Sequence, residues 1–319
     1  MSLNQTQRVV FVIGAGRSGT STVARALQAL GVDLGNRFKK ASRKNPTGFF
    51  EDKDLLALSK KARRAVNLRA DSVRLVEASD FDAPEIHALQ DAVIEVIQRR
   101  FSDSPIWGFK YGRTLRILPF WDRILATTQQ APSYVIALRN PLSVARSRAK
   151  IDPRRGQQAA SDLEWLVSIV PFFRKIQGQR LAVVDYDDLM DAPACALKHM
   201  AEQLKLPQTS DAKIEEFVDQ FLEPGLRHTR FSDEDLSQSS QINPIVKDAY
   251  RLLRTWTTSP NAQAIDAFWA AWADIEARVE ALSPLLSLID AKEDDWRRAV
   301  TSPWGPLQSW QLLKPWLKQ

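Results

Sequence analysis

Two short stretches of this 319-residue chain combine the residue types that bind anions. The first runs Val9-Val-Phe-Val-Ile-Gly14-Ala-Gly16-Arg17-Ser18-Gly19-Thr20-Ser21-Thr22 and passes into a helical pattern. A strand, a glycine turn and a helix start aim several backbone N–H groups and the positive end of the helix dipole at one point, which is an anion site. The second is Tyr134-Val-Ile-Ala-Leu-Arg139-Asn140-Pro141-Leu-Ser-Val144-Ala-Arg-Ser147. There a strand ends in an arginine, Asn-Pro turns the chain, and Pro141 takes a favourable first helical position. Arg139 and Ser147 together offer a guanidinium fork and a hydroxyl to a phosphate.

The glycines alone admit three ligand classes. Gly14, Gly16 and Gly19 satisfy the dinucleotide fingerprint GxGxxG, and Asp33 lies about twenty residues on, where a ribose-binding acid is expected. Only Gly31-Val32 separates the first helix from Asp33, however, so that acid would not end a second strand. The same residues satisfy GxxxxGK[ST] at Gly14, Gly19 and Ser21, except that Thr20 replaces the lysine that serves the β and γ phosphates. The loop's cation is instead Arg17, and a smaller phosphate is the third possibility.

The arrangement around Arg17 resembles the 5′-phosphosulfate loop of sulfotransferases that use 3′-phosphoadenosine 5′-phosphosulfate (PAPS), closest to the Arg-Ser-Gly-Thr form of carbohydrate and bacterial members. The second stretch resembles that family's 3′-phosphate motif, with a serine eight residues after the arginine, as Arg139 and Ser147 are here. Asn45-Pro-Thr-Gly48-Phe-Phe-Glu51-Asp52 is similar to a segment of bacterial members. Trp107-Gly-Phe-Lys110 resembles the strand that ends in the active-site lysine, and Val184-Asp-Tyr186-Asp-Asp-Leu189 a strand-to-helix segment. The likeness covers roughly 8–52, 105–150 and 180–195, with a fainter echo at Phe221–Arg230.

The resemblance implies an α/β fold of the P-loop nucleotide-hydrolase type and sulfuryl transfer from PAPS to an acceptor hydroxyl or amine on a glycan or small molecule, releasing adenosine 3′,5′-bisphosphate. Gly16, Arg17, Ser18, Gly19, Thr20 and Ser21 would hold the 5′-phosphate and sulfate, Arg139 and Ser147 the 3′-phosphate, and Tyr186 would lie near the nucleotide. Lys110 would reach the bridging oxygen. No metal is required, because the arginines and the lysine supply the countercharge. Cytosolic sulfotransferases carry a histidine two residues after the strand-end lysine; here that position is Gly112. The sugar-modifying branch uses a glutamate, and Glu51 is the matching candidate base, with His228 the alternative and Arg113 a second-rank contact for sulfate or acceptor. As a purely structural residue, Glu51 would instead favour the start of the following helix.

These residues need a scaffold that brings strand ends together. Apolar β-branched runs occur at Arg8–Ile13, Ile106–Lys110, Ser133–Arg139 and Leu181–Tyr186, mostly continuous rather than alternating, as in strands buried on both faces. Helical patterns separate them at 20–30, 52–68, 84–100, 115–127, 141–150, 160–177 and 187–204, which predicts a parallel sheet with helical crossovers. We expect 1–243 to form the nucleotide-binding core and 244–319 a helical, Trp-rich extension packed on the same domain. Seven of ten tryptophans lie after residue 250: Trp256, Trp269, Trp272, Trp296, Trp304, Trp310 and Trp316. They read either as packing for a helical layer, with Trp269 and Trp272 on one face, or as a sugar platform or a tail for peripheral membrane contact.

Net charge is +6, but residues 1–70 hold 14 Lys/Arg against four acids, leaving 30 basic and 34 acidic side chains in the other 249. Such a local field suits an anionic ligand. For Lys60, Lys61, Arg63 and Arg64 a solvated helix face matched to the dipole is the competing reading. One cysteine, Cys195, excludes an internal disulfide or a cysteine-built zinc site. The longest apolar run near the start, Val9 to Ile13, is too short to span a bilayer, and a cytoplasmic enzyme is expected. Rival functions are a P-loop nucleotide kinase or NTPase, and a catalytically lapsed PAPS-binding protein. Nucleic-acid binding ranks last, because the basic N-terminal part shows no interleaved aromatics.

Overall fold

β-Branched and aromatic residues dominate four short runs, and each becomes a strand: β1 Arg8–Ile13, β2 Ile106–Lys110, β3 Ala131–Leu138 and β4 Arg180–Asp185. The computed structural model describes residues 6–40, 48–222, 229–258 and 261–301. The strands form one parallel sheet in the order β2-β1-β3-β4, with Val9 opposite Trp107 on one side and Pro132 on the other. Val9, Phe11 and Ile13 enter one hydrophobic core and Val10 and Val12 a second, so both faces are buried, as the unbroken apolar runs require.

Thirteen helices surround the sheet among the described residues: α1 Thr20–Ala29, α2 Lys53–Ala65, α3 Pro84–Phe101, α4 Leu118–Thr128, α5 Pro141–Ala149, α6 Gln158–Ile169, α7 Tyr186–Asp191, α8 Pro193–Gln203, α9 Asp211–Phe221, α10 Asp233–Gln238, α11 Pro244–Arg254, α12 Ala262–Glu280 and α13 Ser283–Thr301. Helices α1, α8 and α9 cover the face carrying Val10 and Val12; α2, α3, α4, α6, α11 and α12 cover the other. The fold class is therefore α/β with a parallel sheet flanked by helices. From β1 the chain crosses to β2 on one side; from β3 it continues to β4 on the other. The carboxyl ends of β1 and β3 thus flank the point where the winding reverses, the crevice where open α/β sheets bind ligands.

Several boundaries differ from the sequence expectation. The helix expected at 160–177 stops at Ile169, since Pro171 follows and Phe172 adopts φ 58°. The helix expected at 187–204 is two, broken at Ala192 before Pro193. Ser232–Ser240, outside every helical pattern given for the core, contains α10, opened by a capping box between Ser232 and Asp235. Helix α13 runs from Ser283 to Thr301, with Arg297–Glu293 and Arg298–Asp295 pairs along it.

The tryptophans of α12 and of the turn that precedes it are core. Trp272 lies 4.2 Å from Phe173 and Trp256 4.7 Å from Phe268, centroid to centroid, while Trp256 Nε1 donates to the Leu181 carbonyl at 3.1 Å. Trp269 and Trp272 are buried, so neither offers a sugar platform; Trp296 is exposed on α13. Trp304, Trp310 and Trp316 lie outside the described residues. Among the described residues no helix is long and apolar enough to cross a membrane.

Candidate nucleotide and transfer site

The glycines after β1 are dictated by contact. A Cβ on Gly14 would stand 2.6 Å from the Ala137 carbonyl oxygen of β3. Gly19, at φ 81°, caps α1, and a Cβ there would meet the Tyr186 ring at 2.2 Å. The turn therefore closes tightly against β3 and the start of α7, and α1 opens with its first-turn amides at the mouth of the loop. Ser18 is turned inward: its side chain is buried and its amide donates to the Ala15 carbonyl at 3.1 Å. Its hydroxyl is buried with no hydrogen-bond partner, whereas Gly16 and Arg17 are exposed.

Arg17 departs from the sheet at φ 80°, and its Nε donates to Ser147 Oγ on α5 at 3.1 Å. Arg139, at the end of β3, lies over the Tyr186 ring at 4.5 Å and donates to the Thr229 carbonyl at 2.8 Å and the Arg17 carbonyl at 3.4 Å. Asn140 caps α5 by accepting from the Leu142 amide at 3.0 Å, and its own amide holds the Phe231 and Ser232 carbonyls. Arg17, Arg139, Ser147 and Tyr186, spread over 170 residues of sequence, thus meet at the winding reversal. Burial, then the Arg139 guanidinium, push Arg17 below its ordinary pKa. Two guanidiniums brought together at a helix N-terminus make a place for a multiply charged anion.

Lys110 ends β2 beside this loop and is 4% exposed. Its Nζ donates to Ser21 Oγ at 3.2 Å, to the Phe49 carbonyl at 2.8 Å and to Glu51 Oε1 at 3.3 Å. An ammonium from the neighbouring strand therefore stands at the head of α1, where the loop itself has Thr20 in place of a lysine. Burial lowers the Lys110 pKa, the Glu51 carboxylate opposes that, and Lys39 and Arg17 reinforce it. Glu51 also faces Lys39 Nζ at 3.7 Å. Asp52, one residue on, is the cap of α2, accepting from the Asp54 and Leu55 amides and pairing with Arg100. The capping role weighed for Glu51 belongs to Asp52, which leaves Glu51 at Lys110.

Gly112, where a histidine base would sit in the cytosolic pattern, has a structural reason to be glycine. Its carbonyl accepts from the Gly14 amide at 3.3 Å, and a Cβ there would lie 2.6 Å from the Gly14 oxygen. His228 and Asn45 to Thr47 lie outside the described residues. Asp33, outside any strand, makes a single parallel bridge to Trp107 of β2, and its carboxylate is engaged by Ser104 and by the Gly35 amide. It sits near the amino end of the sheet, away from the loop, as the missing second strand implied.

A buried ion cluster behind the loop was not legible in the sequence. Arg148 on α5 donates to the Gly16 carbonyl at 3.2 Å and to the Ser161 carbonyl at 2.7 Å. Glu164 on α6 gathers Arg155 at 2.6 Å, Arg113 at 3.2 Å and Arg148 at 3.7 Å. Arg113, expected as a contact for sulfate or acceptor, pairs here with Glu164. The cluster ties both phosphate-type elements, the loop and α5, to one carboxylate. The available signal was Arg148 itself, a charge on the helix face that its neighbours show to be inward.

No protein-family model matches the chain, and no curated protein matches it. Among solved structures, it is similar to a sulfotransferase domain from the curacin biosynthetic pathway at 16% identity and TM-score 0.41, covering 85% of this chain and 99% of that one. A sulfotransferase domain from the Synechococcus PCC 7002 olefin synthase gives 17% identity and TM-score 0.39, covering 86% and 98%.

Proposed function

We propose that the protein transfers a sulfuryl group from PAPS to an acceptor hydroxyl or amine. The observation that carries this reading is the convergence of Arg17, Arg139, Ser147 and Tyr186 beside the buried Lys110–Glu51 pair. Arg17 and the first-turn amides of Thr20 and Ser21, with Gly16 and Gly19 giving the close approach, would hold the 5′-phosphosulfate. Arg139 and Ser147 would hold the 3′-phosphate, and Tyr186 would flank the nucleotide.

In the transfer, a bond forms between the acceptor oxygen and sulfur while the bond from sulfur to the 5′-phosphate oxygen breaks. The acceptor's proton passes to Glu51, which exchanges its Lys110 contact for the hydroxyl. The Lys110 ammonium meets the charge growing on the departing phosphate oxygen. Arginines and lysine supply the positive charge. Residues 1–243 supply the nucleotide-binding unit in this reading, and the described helices from Pro244 to Thr301 a layer on the same domain, the remainder of the expected 244–319 extension lying outside the described residues.

Transfer of radiolabelled sulfate from PAPS to a panel of glycans, phenols and lipids tests it. Label should pass to at least one acceptor class without added divalent metal. A protein that binds adenosine 3′,5′-bisphosphate yet labels nothing in the panel would be the catalytically lapsed form.

A further inference from the structure

Helix α13 carries its apolar stripe on the outside. Among the described residues the exposed large hydrophobic side chains are Leu285, Leu288, Ile289, Trp296 and Val300, and all lie on this helix. At about 3.6 residues per turn they fall within about 120° of its circumference and run about 22 Å along it. The opposite side is polar and binds the body of the protein. Asp290, 3% exposed, accepts from the Val73 amide at 2.8 Å, Arg69 pairs with Asp290 and Asp294, and Arg297 pairs with Asp71. Leu286 adds an apolar contact there, in a small cluster with Val73 and Val167. A surface helix ordinarily turns its apolar stripe to the core. Here ion pairs fix the polar side inward, and a continuous exposed apolar patch marks a contact surface.

The chain that follows has the composition of a cover. Residues 302–319, outside the described residues, begin where the stripe ends. Pro303, Gly305 and Pro306 are chain breakers at the start of this segment, placed where a reversal would be needed. Trp304, Leu307, Trp310, Leu313 and Trp316 recur at every third position. The segment holds Lys314 and Lys318 and no acid, whereas α13 carries Asp290, Glu293, Asp294 and Asp295. Extended at about 3.3 Å per residue, about seven residues match the length of the stripe. Attachment to the helix gives the segment an effective concentration of about millimolar. A second copy of the chain, at micromolar concentration, competes poorly with that.

We propose that the segment 302–319 folds back along α13, its tryptophan and leucine side chains covering the stripe and its lysines lying beside the acids. Trp304, Trp310 and Trp316 are then packing residues of the helical layer rather than a platform for sugar or lipid. The contact is independent of the group the protein transfers.

Fluorine NMR of the full chain labelled with fluorotryptophan tests this, with Trp296→Phe and Trp310→Phe identifying the two lines. In the monomer the Trp296 line should show little solvent isotope shift between water and heavy water. Trp310→Ser combined with Leu313→Ser, in the intact chain, should restore that shift and raise the binding of an anilinonaphthalene sulfonate dye severalfold. Leu288→Ser combined with Ile289→Ser, both at exposed positions, should move the Trp310 line, so the contact is read from either side if one variant fails to fold. A Trp296 line open to solvent in the monomer, or protection that survives the Trp310 and Leu313 substitutions, overturns the proposal. Protection that appears only as protein concentration rises also overturns it and assigns the stripe to a second copy. Protection that appears only on adding phosphatidylcholine vesicles overturns it in favour of a lipid surface.

Discussion

Replacing Lys110 by alanine is expected to lower sulfuryl-transfer turnover by about 10²–10³-fold, the usual cost of removing one preorganised donor to developing charge. Binding of adenosine 3′,5′-bisphosphate should persist, because Arg17, Arg139 and Ser147 are untouched. Lys110→Met, which keeps much of the buried stem, separates lost charge from lost packing. The wild-type pH profile carries a second signature. Burial lowers the Lys110 pKa of the free protein, so kcat/KM should fall on the alkaline side at a pH below the ordinary lysine range, as the ammonium is lost. The sign for stability is opposite. With the folded pKa below the unfolded one, the unfolded chain binds more protons between the two values, and this group's contribution to stability rises with pH there. A pH–rate profile of the wild type with no alkaline limb below the usual lysine range would deny Lys110 the donor role.

The second large effect falls on stability. Glu164→Ala leaves Arg148, whose side chain is 2% exposed, without its carboxylate. Removing one partner of a buried pair costs about 3–5 kcal/mol, since the remaining charge stays buried. Urea unfolding at neutral pH should show a loss of that size, and bisphosphate binding should weaken as Arg148 loosens its hold on the Gly16 carbonyl. Burial pushes the Glu164 carboxyl up, but Arg148, Arg155 and Arg113 outweigh it and hold the pKa below the ordinary glutamate value. Its contribution is therefore complete above that ordinary value and lost as pH falls through the lowered one. The gap between wild type and variant should close in acid. A gap independent of pH would mean that packing, not charge, is what Glu164 supplies.

Much of the scaffold is written locally. Unbroken β-branched runs mark β1 to β4 because both faces of each strand are covered, and Asn140-Pro141 announces α5 through its cap. The beginning of β3 was less plain, because Pro132 lies inside it; its carbonyl can still join a ladder where its missing amide is not required. The breaks at Pro171 and Pro193 were present in the sequence, but the helical periodicity continues across them. Helix α10 could have been found from Ser232 and Asp235, a capping pair three residues apart.

The site divides the same way. Arg17, Lys110, Arg139 and Ser147 are legible because each sits at a fixed offset from a strand end, and the fold brings strand ends together. Which members of the basic run on α2 face solvent was not legible: Arg63 is buried while Lys61 and Arg64 are exposed, a division that a run of like charges does not show. The Arg148–Glu164 cluster was hidden because its members come from different helices and pair by tertiary packing alone.

The most direct test of the nucleotide assignment is a calorimetric titration of the protein with adenosine 3′,5′-bisphosphate, with AMP, and with ATP and Mg²⁺. A site built from Arg17, Arg139 and Ser147 should bind the bisphosphate without metal, and more tightly than AMP by about tenfold or more, the worth of charge-assisted hydrogen bonds to the 3′-phosphate. Arg139→Gln should remove most of that difference. Selective binding of ATP with Mg²⁺, with the bisphosphate no better than AMP, would contradict the assignment and return the loop to the nucleotide kinases.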